Sequence, residues 1–487
     1  MNTKLLKQKI LDLAIRGKLT QQLKSDGTVA DLLKEICDRT QEKTSLRAKR
    51  GNPSPQTIIP LDKNEAPFEI PANWEWVRLG NVCKVFGRIG FRGYTKKDLV
   101  EKGEGAISLS PSNMDEMKLN FDKCTYISWF KYEESPEIMI NKGDIIVVKT
   151  GSSYGKTSIV QDLPEKTTLN PQLMVLKQIN CNRNYLCYFL NSAYFRKVFE
   201  ELVNGTAIPT FSQEKFSSKE FPLPPLAEQH RIVEKIQEAF AEIDSIENNK
   251  ELLKTHIKQA RQKILDLAIH GKLVPQNKTD EPASVLLERI TRDNPHYEKL
   301  TDVPFEIPDS WEWVKLGEVA YIASGSTPSK DCFVENGVPY LKMYNLRNQQ
   351  IDFEYKSQYI IREIHEGKLA RSKAKPGDVI MNIVGPPLGK VALVPETLPE
   401  CNFNQAAVLI RAYFDTNLMN QYIRYFLLQM DEINAINTKG TAGQENISLT
   451  QTQNMRFPLP PLAEQKRIVD KIEEVFASLD EISLHLV

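Results

Sequence analysis

Cysteine motifs for zinc or redox chemistry are absent from this sequence. Its seven cysteines include no C-x-x-C pair, which argues against a zinc ribbon and a thioredoxin-like site. We expect reduced cysteines, as in a cytoplasmic protein. No apolar run reaches 18 residues, so no transmembrane helix is expected. Lys and Asp interrupt the first apolar stretch, which argues against a signal peptide.

Net charge is also lacking, because 63 Lys and Arg residues balance 63 Asp and Glu residues. Nucleic-acid binding by a neutral chain requires a local basic surface. The 41% apolar and 26% charged residues are typical of a globular protein. A length of 487 residues indicates about three domains, or two with a large connector.

Catalytic motifs are scarce. The sequence contains neither H-E-x-x-H nor G-x-S-x-G, which mark zinc peptidases and serine hydrolases. Three of the six histidines lie in repeated segments where the counterpart is another polar residue, so a ligand or base role is not indicated. We expect no catalytic residue, metal ligand or cofactor site in this chain.

Residues 150–158, TGSSYGKTS, are close to a nucleotide-binding loop. That loop requires G-x-x-x-x-G-K-[ST], and the spacing from Gly151 to Gly155 is one residue short. The equivalent turn before Lys390 has two prolines where N–H donors are needed. A hairpin turn is favoured, with Lys156 and Lys390 able to reach a DNA phosphate. A nucleotide-binding enzyme using residues 150–158 stays open as an alternative.

Internal repeats decide the interpretation. The repeated segments are 221–244 with 457–480 (18 of 24 identical), 67–82 with 304–319 (12 of 16) and 9–19 with 263–273 (10 of 11). The third pair has a larger offset, so the centre of the chain contains in one piece what the two ends contain in two. This pattern predicts two equivalent units with pseudo-twofold symmetry and chain ends that lie side by side.

The central repeat predicts a long helix over 225–270. Pro224 and Pro225 fit its start, and Gly271 fits its end. Apolar residues recur at three-four spacing from 233 to 267, which is typical of a coiled-coil seam. A second apolar stripe, formed by the two ends of the chain, can pack against it as an antiparallel pair.

Two domains of similar length lie between the helical segments and share a framework. The shared elements are strand, glycine turn and strand at 142–160 and 376–394, one strand at 169–176 and 403–410, and a helical stretch at 184–202 and 417–436. Residues 83–140 and 320–375 barely align. The framework is therefore shared, and the surface differs.

The divergent regions carry residues suited to DNA contact. Residues 84–97 contain five Lys and Arg, no acid, three aromatic residues and three glycines. Residues 324–330 and 340–350 offer hydroxyls, amides and cations. Such side chains bind phosphates and base edges. Two readers with one framework and different reading residues would recognise two different half-sites.

Four motifs, each present twice, resemble those of the specificity subunit of type I restriction–modification systems. They are P-L-P-P-L-A-E-Q-x-R-I-V at 222–233 and 458–469, W-E-W-V-x-L-G at 74–80 and 311–317, K-I-L-D-L-A-I-x-G-K-L at 9–19 and 263–273, and G-D-I/V-I…G-K at 143–156 and 377–390. The resemblance covers essentially the whole chain.

The resemblance implies a fold, partners and a division of labour. It implies two target-recognition domains of mixed α/β (α+β) fold, joined by long helices that form an antiparallel coiled coil. Each domain reads one half of a bipartite, asymmetric site in double-stranded DNA. The helices dock two methyltransferase (modification) subunits, and two restriction subunits can join. S-adenosylmethionine, ATP and magnesium belong to those partners. A helical scaffold that reads no DNA stays open as another alternative.

The resulting domain boundaries follow the repeats. They are an N-terminal helix at 1–25, a first recognition domain at 26–222, a central helical connector at 223–280, a second recognition domain at 281–458 and a C-terminal helix at 459–487.

Candidate DNA-contact residues are the polar side chains of the divergent regions and of the glycine turns. In the first domain they are Arg88, Arg92, Tyr94, Lys96, Lys97, Lys149, Ser152, Ser153, Tyr154 and Lys156. In the second domain they are Ser326, Thr327, Lys330, Lys342, Asn345, Arg347 and Lys390.

Overall fold

A computed structural model describes residues 2–45, 61, 66–88, 93–115, 117–203, 208–292, 300–385, 387–430, 433–434 and 446–486. The chain divides into two compact units, Met1–Asn249 and Lys250–Val487. Among the described residues, no helix is long and apolar enough to cross a membrane. Arg92, a predicted DNA contact, lies outside the described residues.

Helices frame both units. Those of the first unit are α1 (Thr3–Ile15), α2 (Val29–Ser45), α3 (Leu79–Val82), α4 (Trp129–Glu133), α5 (Arg183–Leu190), α6 (Ala193–Leu202) and α7 (Gln213–Ser217). Helix α8 (Leu226–Ile269) begins in the first unit and ends in the second. The helices that follow are α9 (Ala283–Thr291), α10 (Leu316–Val319), α11 (Arg362–Glu366), α12 (Thr416–Gln429), α13 (Leu449–Gln453) and α14 (Leu462–Leu484).

Strands are short in both units. Those of the first unit are β1 (Glu75–Arg78), β2 (Lys84–Gly87), β3 (Leu99–Val100), β4 (Gly105–Leu109), β5 (Met114–Asp115), β6 (Lys118–Leu119), β7 (Thr125–Ser128), β8 (Ile145–Val148), β9 (Thr157–Ile159), β10 (Thr167–Leu169), β11 (Leu173–Lys177) and β12 (Glu220–Leu223). Those of the second are β13 (Glu312–Lys315), β14 (Ala320–Ser324), β15 (Phe333–Val334), β16 (Val338–Leu341), β17 (Leu346–Arg347), β18 (Gln350–Ile351), β19 (Tyr359–Ile360), β20 (Val379–Asn382), β21 (Val391–Leu393), β22 (Asn402–Phe403), β23 (Ala407–Ala412) and β24 (Arg456–Leu459).

The same sheets form in each unit. The first unit has one four-stranded sheet of order β2-β11-β8-β9 and another of order β10-β4-β7-β3. The second unit repeats them as β14-β23-β20-β21 and β22-β16-β19-β15. A two-stranded pair closes each domain, β1 with β12 and β13 with β24. The predicted shared framework is therefore present strand by strand.

Strand β8 shows why the framework residues are apolar on both faces. Ile145 and Val147 belong to a core that includes α5 and α6, whereas Ile146 and Val148 belong to a core under β4 and β10. Because successive side chains of a strand point to opposite faces, a sheet covered on both sides gives a continuous apolar run. Strand β20 repeats this arrangement in the second unit.

Three predicted elements differ from the structure. The single strand predicted at 403–410 is two strands, β22 and β23, separated by residues 404–406. The single strand predicted at 169–176 is two strands, because a turn at 170–172 carries the chain from β10 in one sheet to β11 in the other. The helical stretch predicted at 184–202 is also broken, since Asn191 caps the end of α5 and Ser192 caps the start of α6. Polar side chains that bond to the backbone favour such breaks.

Helix α8 matches the predicted helix to within one residue at each end. Its two ends belong to domain cores, through residues such as Ile236 and Leu265. Its middle is less buried than a continuous seam requires, because Ile246 is 43% and Leu253 38% exposed. The apolar spacing therefore includes two core-facing segments, one at each end of the helix.

The terminal helices pack on α8 through equivalent ion pairs. Lys7 of α1 lies 2.6 Å from Asp244 of α8, and Thr3 bonds to Glu247. Residue numbers rise along α1 as they fall along α8, so this pair is antiparallel, as predicted. In the second unit, Arg261 of α8 bonds to Asp480 of α14, and these two positions are the repeat counterparts of Lys7 and Asp244.

Candidate nucleic-acid interface

A duplicated polar joint holds each recognition domain on its helices. Trp74 donates its indole N–H to Glu228 at 2.8 Å, and Trp311 donates to Glu464 at 2.9 Å. Both glutamates are buried, at 0% and 1% exposed, and burial raises the pKa of Glu464. The repeated W-E-W-V and P-L-P-P-L-A-E-Q motifs therefore contribute the two sides of one contact. This contact is structural.

The turn at 149–156 joins β8 to β9 and is not a phosphate cradle. The backbone N–H groups of Gly151, Tyr154 and Gly155 donate to the carbonyls of Pro209, Gly151 and Val148. A phosphate-binding loop needs such groups free to face the anion. The element after the turn is also a strand, where that loop requires a helix. The geometry of this turn therefore does not support the alternative of a nucleotide-binding enzyme that uses residues 150–158.

The predicted contact residues of this turn differ in accessibility. Ser152 and Lys156 are exposed, whereas Ser153 is half-buried. Tyr154 packs against the core of the first unit. Burial lowers the pKa of Lys149. Lys156 and Ser152 are thus the turn residues that a large ligand can reach most directly.

Arg88 has a structural position that its sequence context did not reveal. Its side chain is 3% exposed, and its Nε donates to the carbonyl of Leu169 at 3.1 Å. The guanidinium lies 5.6 Å from the ring centroid of Tyr94, whose hydroxyl accepts from Ser108 at 2.9 Å. Burial lowers the pKa of Arg88, and Tyr94 and nearby carboxylates oppose that shift. This burial argues against the predicted direct contact of Arg88 with a base.

Lys96 and Lys97 have the exposed position that the prediction requires. They lie on a short 3-10 turn in which Asp98 accepts from the backbone N–H of Thr95 at 2.7 Å. Both lysine side chains are exposed. Two adjacent exposed cations on a capped turn can neutralise phosphates.

In the second unit, Ser326, Thr327 and Lys330 follow strand β14. The carbonyl of Ser326 accepts from the hydroxyl of Tyr340 at 3.0 Å, and the Thr327 hydroxyl donates to Gln405. Lys330 is exposed, and so is Thr327. The loop is held by its backbone, and it presents Thr327 and Lys330 outward.

Asn345 is buried and bonded to the backbone, which argues against the direct DNA contact predicted for it. Its side chain is 1% exposed, and its Nδ2 donates to the carbonyls of Asp352 at 3.0 Å and Tyr355 at 2.9 Å. These bonds use both amide protons, so none is left for a base. Nearby, the ammonium of Lys342 lies 5.6 Å from the ring centroid of Phe333.

Arg347 and Lys390 are far apart in sequence but line one concave pocket of about 450 Å³. The Arg347 guanidinium lies 4.2 Å from the ring centroid of Tyr355 and 3.8 Å from Asp352. The backbone N–H of Lys390 donates to Asn382 at 2.5 Å. The structure thus brings together two of the predicted cations.

Asn348 and Gln349 line the same pocket. They belong to the segment 340–350 predicted to suit DNA contact, but they are not among the individual candidate residues. Both are exposed, and both have a positive φ, 49° and 60°. The signal that could have found them is an N-Q pair between two short apolar-polar strands, which is compatible with a tight hairpin turn.

A cluster of His365, Glu366 and Glu400 could in principle hold a metal ion. His365 is 1% exposed and lies 3.0 Å from Glu400. Lys373 pairs with Glu366, and Lys375 lies 3.8 Å from Glu400. Because each carboxylate already has a cationic neighbour, ion pairing accounts for the cluster.

Known proteins share both the sequence pattern and the fold. Residues 71–255 and 308–484 match the family model described as type I restriction modification DNA specificity domain. The EcoAI specificity subunit of Escherichia coli is 26% identical over 98% of this chain and 90% of its own length. The MjaVIII specificity subunit of Methanocaldococcus jannaschii is 25% identical over 84% of this chain and 87% of its own.

Two solved structures have the same fold. A chain from a study of complex assembly and conformational transition of the type I R-M system aligns with a TM-score of 0.55 and 20% identity, over 86% of this chain and 94% of that one. The HsdS subunit from Thermoanaerobacter tengcongensis aligns with a TM-score of 0.51 and 19% identity, over the same shares. The predicted fold class of two α/β domains with long helices is confirmed.

Two similar domains that differ at their exposed polar residues, together with repeated helices, define a protein with a duplicated DNA specificity domain. This chain belongs to the type I restriction–modification DNA specificity family.

Proposed function

We propose that each recognition domain reads one half of a bipartite, asymmetric site in double-stranded DNA. One observation carries this proposal. The two domains have the same sheets and the same Trp–Glu contact, but they expose different polar side chains at equivalent positions. Lys96, Lys97 and Lys156 face solvent in the first domain, and Thr327, Lys330 and Arg347 in the second. A shared framework with different reading residues suits two different half-sites.

Catalysis in this proposal belongs to partner subunits. Two modification subunits dock on the helices, two restriction subunits can join, and S-adenosylmethionine, ATP and magnesium bind to those partners. Helices α1, α8 and α14 support this role, since exposed apolar residues such as Leu5, Leu252 and Leu484 lie along them.

The test is to reconstitute the full chain with its modification subunit and map methylated adenines in a DNA library by sequencing. The expected result is one motif with two defined parts separated by unspecified bases. Methylation at unrelated sequences, or at a single undivided motif, would contradict two-part reading.

A helical scaffold that reads no DNA predicts a different outcome. The complex would then bind cognate and scrambled duplexes equally at every salt concentration. The comparison needs a salt series, because the affinity that comes from phosphate contacts falls as the ionic strength rises.

A further inference from the structure

One β-hairpin occurs in both recognition domains with the same internal clamp. In the second unit, the Oδ1 of Asn345 accepts from the backbone N–H of Lys342 at 2.9 Å, in addition to the two bonds its Nδ2 donates. In the first unit, Asn113 is 3% exposed, accepts from Ser110 at 2.9 Å, and donates to two carbonyls at 3.0 Å. The base of each hairpin is therefore held by one buried amide with matching bonds.

The tips of these hairpins differ. The second hairpin turns through Asn348 and Gln349, between Arg347 and Gln350. At the corresponding place, the first hairpin has Met117 at φ 67° and exposed Lys118. The clamp is constant and the tip changes, which is the pattern expected of an element that varies with target.

The tip of the second hairpin has two residues with side chains at positions where the backbone conformation favours glycine. A left-handed conformation costs residues other than glycine about 1–2 kcal/mol, although asparagine tolerates it better than glutamine does. Asn348 and Gln349 both adopt it and both are exposed. A two-residue hairpin turn of type I′ requires a positive φ at both central residues, and this tip meets that requirement with two amide side chains instead of glycine.

The chemistry of the tip suits a base edge. Asparagine and glutamine amides form bidentate hydrogen bonds with the N6 and N7 atoms of adenine, and the major groove admits a two-stranded β-ribbon. Arg347 and Lys390 flank the two amides around the same pocket, whose apolar wall includes Leu428 and Met430. Cations beside a reading tip can bind the adjacent phosphates.

We infer that the hairpin tip Arg347–Gln349 enters the major groove and that Asn348 and Gln349 recognise adenine in the half-site of the second domain. Lys390 binds a neighbouring phosphate. This inference rests on the proposed function, and it names the residues and the base through which the second domain reads.

The decisive variant is N348G/Q349G in the full chain, reconstituted with the modification subunit. Glycine adopts the left-handed turn without strain, so the hairpin is kept while both amides are removed. We expect the affinity for the cognate duplex to fall roughly 5- to 150-fold for each amide–adenine pair that the variant removes. Base preference should relax at one or two positions of one half-site, and the other half-site should stay unchanged.

A matched variant, K390Q, separates base reading from phosphate binding. It should weaken cognate and non-cognate binding about equally and reduce the salt slope by about one unit. Its base preference should equal that of the unmodified chain.

The outcomes distinguish this inference from the proposed function. A complex of the unmodified chain that shows no sequence preference overturns both. If that complex is specific and N348G/Q349G keeps the same affinity and base preference, the hairpin inference alone is overturned. A variant preference that changes at a position other than adenine also overturns the assignment.

Discussion

Arg231 and Arg467 illustrate how a single side chain fixes the loop that follows a repeated helix, the loop after α1 for Arg231 and the loop after α8 for Arg467. Arg231 contacts Asp26 through two nitrogens at 2.6 and 2.7 Å, and Arg467 contacts Asp280 at 2.6 Å. The two aspartate side chains are 3% and 7% exposed. A buried carboxylate with an arginine partner stabilises a fold mainly because removing that partner leaves the charge uncompensated.

This ion pair makes stability depend on pH. The hydrogen bonds from Arg231 lower the pKa of Asp26, so the folded state favours the ionised carboxylate. The resulting stabilisation is complete above the ordinary pKa of an aspartate and is lost as the pH falls through the lowered value. R231A should therefore reduce the free energy of unfolding at pH 7 by about 1.5–3 kcal/mol, and the deficit should shrink below about pH 4.

Urea denaturation at a series of pH values, followed by tryptophan fluorescence, measures this difference. R467A is the matched variant, because it removes the equivalent partner from Asp280 in the second unit, and it should give a similar loss at pH 7. A deficit of R231A that does not shrink at all as the pH falls well below the ordinary pKa of an aspartate would contradict the assignment.

At the scale of elements, helix ends were easier to predict than strand ends. Pro224 and Pro225 indicate the start of α8, and Gly271 indicates its end, through the backbone conformations that these residues allow. Those preferences belong to the residues themselves and do not depend on distant parts of the chain. The prediction of a single strand at 169–176 was wrong because two consecutive buried strands, β10 and β11, give one nearly continuous apolar run in the sequence although they lie in different sheets. The burial of Arg88 and Asn345 was not foreseen for a related reason, since burial of a polar side chain is decided by distant residues that local composition does not report.

The glycine that ends α8 offers a test of this local signal. Gly271 has φ 67°, and a Cβ there would overlap the ring of Pro308. G271A should therefore destabilise the second unit by about 2–5 kcal/mol, the sum of about 1–2 kcal/mol for a left-handed alanine and about 1–3 kcal/mol for an overpacked contact. Chemical denaturation of the full chain measures the loss.

Gly377 provides the control for that test. It has φ 82°, and a Cβ added there would meet no atom within 4 Å, so G377A carries the conformational cost alone, about 1–2 kcal/mol. Equal losses of stability for G271A and G377A would show that the contact with Pro308 adds nothing.

At the scale of the whole molecule, the repeat makes the two recognition domains exchangeable. Replacing residues 67–223 with 304–459 keeps both strands of the closing pair together, as β13 and β24 in place of β1 and β12. Trp311 would then meet Glu228 where Trp74 does now. Because the two joints have nearly the same indole–carboxylate distance, 2.8 and 2.9 Å, we expect the exchanged chain to fold.

Such a chain should read a symmetric target. Both domains would carry the same reading residues. The pseudo-twofold symmetry predicted from the repeat would make the two units read opposite strands, so the expected motif is the second half-site followed by its inverted copy. Methylation mapping with the modification subunit measures it, and the reciprocal exchange should give the inverted repeat of the first half-site. An unchanged asymmetric motif would refute separate reading by each domain, and a direct repeat would refute the predicted opposite orientation of the two units.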